Sequence, residues 1–112
     1  MLPKKESLTV EFKSDLKGLP DRVLAEEVLA MANSEGGDIY VGIEDDGTVT
    51  GANQGHLDPF GARAVIANLT VPTVNVEAEI IVEEGLPILH IHVPLSNEIV
   101  SSASGRTLQR KL

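Results

Sequence analysis

Between Val74 and Val93 the chain carries its most constraining pattern. Val74 to Val82 alternates apolar with polar residues, Glu84-Gly85 offers a two-residue turn, and Leu86 to Val93 runs back. Successive strand side chains point to opposite faces, so this pattern predicts an antiparallel hairpin with one face for a core. Leu89, Ile91 and Val93 belong to that face, and His90 and His92 to the other. An isolated hairpin is marginal in water, so the remaining chain must supply further strands or helices to cover it.

The other segments meet that requirement. Residues 6–13 alternate as Leu8, Val10 and Phe12 against Thr9, Glu11 and Lys13, a half-buried strand. Residues 14–20 hold Gly18 and Pro20 and form a loop. Asp21, as N-cap or acidic first-turn residue, opens a helix reaching about Asn33, with Leu24, Val28, Met31 and Ala32 as its apolar stripe. Gly36-Gly37 closes the helix. Ile39 to Ile43 is a buried strand, Asp45-Asp46-Gly47 a tight turn, and Thr48-Val49-Thr50 a short return strand. Asp58-Pro59 starts a second helix to about Asn68. Residues 96–105 are polar and Ser-rich, and Arg106 to Leu112 begins a last strand. The expected fold is α+β, a small mixed sheet with two main helices in the order β-α-β-β-α-β-β-(β).

At 112 residues there is room for one domain, residues 1–112, and 42 % hydrophobic residues suffice for a core. No apolar run is long enough to span a membrane. The absence of cysteine removes disulfides and Cys-ligated metals and fits a reducing, cytoplasmic setting. Three aromatics, Phe12, Tyr40 and Phe60, are too few for a platform of stacked bases. The net charge of −8 opposes nucleic-acid binding by bulk electrostatics. That charge is uneven, however. Residues 26–84 hold Arg63 alone against twelve acids, whereas residues 1–25 and 85–112 are each slightly basic. Lys4, Lys5, Lys13 and Lys17 at one end, with Arg106, Arg110 and Lys111 at the other, are the candidate nucleic-acid contacts.

Glu6, Glu11 and Asp45 are the candidate catalytic and metal-binding residues. Three converging carboxylates suit Mg²⁺ or Mn²⁺, which take hard oxygen ligands and activate water for phosphodiester hydrolysis. On an ideal strand Glu6 and Glu11, five apart, face opposite ways, so convergence requires Glu6 to lie before the strand or beside a bulge. By spacing alone these are solvated surface carboxylates. The Gly36-Gly37 segment lacks a Gly-Lys-Ser/Thr ending and runs from helix to strand, which excludes a P-loop. Asp45-Asp46-Gly47 is too short for a calcium loop. His90 and His92 are solvent-facing rather than metal ligands, and nothing in the sequence joins His56 to them. Asn33 is a capping or turn residue.

Glu6, Ser7, Glu11, Phe12 and Lys13 are followed in order by Ala30, Ala32, Asn33, Gly36 and Gly37, and then by Gly42, Ile43, Asp45, Gly47, Val49 and Gly51. This series resembles the Schlafen-type AlbA-like domain family, described as DNA-binding and once grouped with divergent AAA ATPases. The match is close over residues 6–51 and loose beyond. The resemblance implies an α+β domain at the head of a longer bacterial chain, a transcriptional regulator or helicase-related protein, of which residues 1–112 would be the N-terminal part. In vertebrate Schlafen relatives a three-carboxylate metal site cleaves tRNA and rRNA, and those carboxylates fall on Glu6, Glu11 and Asp45. The vertebrate core uses two copies of the fold, whereas this chain has one.

Three functions follow as expectations. The first is a nucleic-acid-binding module whose basic ends form one patch if the first and last strands are neighbours, with a homodimer completing the groove. The second is a metal-dependent endoribonuclease built on Glu6, Glu11 and Asp45, with Lys13 at the phosphate. The third is a protein-interaction or dimerisation module whose acidic surface meets a basic partner, such as the rest of its own chain.

Overall fold

The computed structural model describes residues 2–108. The expected hairpin is its best-formed part. Strand β4 (Glu77–Glu83) pairs antiparallel with β5 (Leu86–Val93), with Glu83 opposite Leu86. Two residues therefore close the turn, Glu84 at φ +51° and Gly85 at φ +77°. Positive φ at both positions matches the right-handed twist of the strands it joins. The strand begins at Glu77 rather than Val74, yet Val74 and Val76 are still buried.

Two more strands extend the sheet. β2 (Gly37–Val41) pairs antiparallel with β5, and β1 (Val10–Lys13) pairs parallel with β2. The order is β1-β2-β5-β4, with β1 and β4 as edges. The parallel β1–β2 connection is made by helix α1 (Asp21–Ala32), as a crossover must be. Asp21 is its first helical residue, not its cap; Pro20 is the N-cap. Leu24, Val28, Met31 and Ala32 are all buried, joined by Leu29 and by Ile66 of helix α2 (Pro59–Asn68), against Ile39, Val41, Leu89, Ile91 and Val93. The opposite face holds a smaller cluster of Phe12, Tyr40, Ile43 and Ile88, with Leu2, Val10, Val49 and Ile81 against it. Among the described residues no helix is long and apolar enough to cross a membrane.

The α+β class and the mixed sheet are as expected, and four details differ. The first strand starts at Val10, not Glu6, because Ser7 and Val10 exchange backbone hydrogen bonds (2.9 and 3.3 Å) and reverse the chain between them. The second strand ends at Val41, since Gly42 (φ +110°) bends away and Ile43 makes only an isolated bridge to Val49. Thr48–Thr50 is accordingly not a strand. Among the described residues the last strand is β6 (Ser101–Ser102), which pairs with β3 (Thr70–Val71) in a separate two-stranded sheet. The strand expected from Arg106 to Leu112 falls largely outside the described residues. A 3-10 turn at Gln54–His56 completes the chain path.

The Asn33 side chain ties this tail to the body. Its Oδ1 accepts from the Val100 N–H at 2.7 Å, and its Nδ2 donates to the carbonyls of Val100 (2.8 Å) and Leu108 (2.7 Å). Asn33 is indeed the C-cap of α1, and it also fixes where residues 100–108 lie.

Candidate nucleic-acid interface and carboxylate site

The Ser7–Val10 turn settles the relation of Glu6 to Glu11. One step outward from that pair, Glu6 lies across from Glu11 on the returning chain and shares its side. Glu6 Oε2 accepts the Phe12 N–H at 3.1 Å. The Asp45 turn reaches the same edge, held by Gly47 N–H to the Glu44 carbonyl (2.8 Å) and Thr48 N–H to Asp46 Oδ1 (2.9 Å). A Cβ on Gly47 would lie 3.3 Å from the Lys4 carbonyl oxygen, so the turn packs on the N-terminal segment.

The three carboxyls feel one another there. Burial pushes the Glu6 carboxyl above its ordinary value, against the lowering effect of the Phe12 N–H, and contact with Glu11 and the charges of Glu11 and Asp45 raise it further. The arrangement brings Glu6, Glu11 and Asp45 to one sheet edge. It does not amount to a formed metal centre: among the described residues, no three His, Asp or Glu side chains are placed to hold an ion. The Glu6 carboxylate is already taken by a backbone N–H, and Glu11 is paired with Lys13. As arranged, the trio does not fit Mg²⁺ or Mn²⁺.

The candidate basic residues among those described fall into two sets. Lys13 Nζ lies 3.3 Å from Glu27 of α1 and 3.6 Å from Glu11. Arg106 donates to Glu26 Oε2 at 2.8 Å, and Arg22 shares that carboxylate at 3.2 Å. Acids on α1 therefore draw both ends of the chain in and neutralise Lys13 and Arg106. Lys4, Lys5 and Lys17 form the other set: all three are exposed, and among the described residues none has an acidic partner within ion-pair distance. β1 and β2 are parallel, so the loops that follow them leave at the same end of the sheet. Lys17 lines a shallow groove there with Glu44, while Lys4 lies on the Asp45 turn. Arg110 and Lys111 fall outside the described residues. A cleft of about 480 Å³ opens elsewhere, between α1 and the 102–106 turn, lined by Ala25, Leu29 and Leu69.

Asp15, which no sequence pattern singles out, organises the same end. Its side chain is fully buried. Its carboxylate accepts N–H groups from Leu19 and Asn53 at 2.7 Å each and meets His56 Nδ1 at 2.7 Å. Burial alone would raise the Asp15 carboxyl, but these donors outweigh it and hold the group below its ordinary value. Asn53 Nδ2 donates back to the Asp15 carbonyl at 2.7 Å, so loop 14–20 and the 53–56 turn are pinned together. That also gives His56 its role.

A mixed four-stranded sheet, helices on one face, and a carboxylate-bearing edge strand beside exposed lysines define the class: a small α+β domain. The Schlafen, AlbA_2 family matches residues 6–111, and the chain belongs to that family. Among solved structures it is similar to the DIP2311 protein from Corynebacterium diphtheriae, with a TM-score of 0.76 and 28 % identity over 93 % of this chain. The chain spans 21 % of that protein. It also shares its fold with the N-terminal domain of a RecG-related protein from Nitrosomonas europaea, at a TM-score of 0.61 and 20 % identity, covering 96 % of this chain and 80 % of that one. No curated protein matches it.

Proposed function

We propose that this domain binds DNA or RNA through the end of the sheet that carries Lys4, Lys5 and Lys17, within a bacterial transcriptional regulator or helicase-related protein. The observation that carries the reading is the contrast between these lysines and the candidate basic residues that α1 engages. They stand exposed and, among the described residues, without an acidic partner in ion-pair range, whereas Lys13 and Arg106 are committed to α1. Family membership and the RecG-related description of one structural neighbour support the same class. With Glu44, Asp45 and Asp46 beside the lysines, binding is weak and strongly salt-dependent, as phosphate contacts of this kind are. A second copy of the domain, or further domains of a longer chain, would add contacts. In a fluorescence-anisotropy titration with single- and double-stranded probes, a Lys4→Ala, Lys5→Ala, Lys17→Ala triple variant is expected to lose at least about tenfold in affinity. Unchanged binding would discard this interface.

One observation favours a second reading, a metal-dependent endoribonuclease: the approach of Glu6, Glu11 and Asp45 to a common edge. It requires Glu6 and Glu11 to release their present partners. Mn²⁺-dependent cleavage of tRNA or structured RNA that disappears in Glu11→Gln is its expected signature, and no cleavage at saturating Mn²⁺ removes it.

A further inference from the structure

On the sheet face away from the helices, two rows of side chains run across the strands. One is Phe12, Tyr40, His90 and Glu79; the next is Val10, Asp38, His92 and Glu77. His90 lies between two carboxylates: its Nδ1 is 2.7 Å from Glu79 Oε2 and its Nε2 is 2.8 Å from Asp38 Oδ1. We infer that His90 is held as an imidazolium cation, and that it acts as a proton-dependent clamp joining β2 to the edge strand β4 across β5.

Donor counting decides the protonation state. A neutral imidazole has one N–H and one lone pair, so in either tautomer one contact would set a lone pair against a carboxylate oxygen. A second ring proton makes both contacts charge-assisted hydrogen bonds. Neither carboxylate is a better home for that proton. The Glu79 side chain is 61 % exposed, so water reaches its oxygens. Burial works to raise the Asp38 carboxyl, but hydrogen bonds and charge from His90 and His92 hold it below its ordinary value. Tyr40 adds a third support: its ring stacks on His90 with centroids 4.7 Å apart and planes within 6°. A cation on an aromatic face is favourable, and more so when partly desolvated.

The surrounding groups agree. From β2, His90 faces Asp38 and the Tyr40 phenol; from β4, Glu79, with Glu77 one row on; from β5 itself, His92, whose Nδ1 is 3.0 Å from the same Asp38 oxygen. The β1 residues of these rows, Val10 and Phe12, are apolar. β2, β4 and β5 contain no lysine or arginine, and of their two histidines His90 is the one that reaches both Asp38 and Glu79. With the proton in place β2, β5 and β4 are tied together by one side chain. When it leaves as pH rises, one contact turns repulsive, and the exposed Glu79 on edge strand β4 is the partner that lets go.

Long-range ¹H–¹⁵N spectra of the imidazoles, recorded on the labelled chain at about pH 7, test this without a variant. Two protonated ring nitrogens at His90 are expected, and a pyridine-type nitrogen there overturns the inference. In Glu79→Gln the imidazolium signature should vanish at a lower pH than in the unaltered chain. Amide exchange should separate the clamp from mere packing. The β4 amides are expected to lose protection on alkalinisation in the unaltered chain and to have lost it already, at neutral pH, in His90→Gln. Equal β4 protection in both chains at every pH contradicts the clamp. None of these outcomes depends on nucleic-acid binding.

Discussion

Asp15 is the side chain on which the loop end of the domain turns. Its buried carboxylate takes two backbone N–H groups and a histidine nitrogen, all at 2.7 Å. Asp15→Ala strands those donors and is expected to cost on the order of 3 kcal/mol in urea unfolding. Because the folded-state carboxyl is held below its ordinary value of 3.8, its stabilisation is complete above that value and is lost as pH falls through the lower folded one. Asp15→Asn should therefore flatten the acid limb of the stability profile. Glu6 behaves in the opposite sense. Its carboxyl lies above the ordinary 4.5, so the folded chain binds that proton more tightly and loses stability as pH rises through that window. Glu6→Gln keeps an acceptor for the Phe12 N–H and removes a charge beside Glu11 and Asp45. It should raise Tm at neutral pH and leave Tm unchanged well below pH 4.5; a lower Tm at neutral pH would count against the mutual repulsion of the trio. Neither residue's environment was legible in the sequence. Asp15 and His56 are far apart in the chain, and the Leu8-Thr9 reversal that aligns Glu6 with Glu11 contains no glycine, proline or asparagine to announce it.

Elements with a long period were legible, and those without one were not. The α1 stripe and β5 each repeat their apolar signal over several residues, and they lie where the pattern placed them. β3 and β6 are two residues each, and β6 is Ser101–Ser102, so pairing and not periodicity defines them. The glycines between elements show the converse, a local signal with a non-local cause. Gly37 (φ +146°) would press a Cβ into the Thr9 carbonyl, at the point where Asp38 N–H donates to Thr9 at 2.9 Å. Gly37→Ala is expected to cost about 2–4 kcal/mol by chemical denaturation, whereas Gly55→Ala, with open space around it and no positive φ, should change stability by less than about 0.5 kcal/mol. Equal effects would mean that the β1–β2 junction is looser than its geometry implies.

At the scale of the whole molecule the charge is the central matter. The net −8 opposes a polyanion, and α1 neutralises the basic residues it can reach, Lys13 through Glu27 and Arg106 through Glu26. Arg110 and Lys111, on the strand expected to bring the two basic ends together, lie outside the described residues, and β6 (Ser101–Ser102) pairs with β3 and not β1. What remains is a local patch of Lys4, Lys5 and Lys17 on an otherwise acidic domain, a distribution that composition cannot show because it depends on which acids each base meets. The most direct test is the salt dependence of binding. Log affinity for a short nucleic-acid probe is expected to fall linearly with log salt, and removing Lys4, Lys5 and Lys17 together should lower the slope by about 2–3, at roughly 0.9 for each phosphate that is no longer neutralised. A slope unaffected by the triple substitution, or no binding at low salt, would contradict a lysine-borne interface.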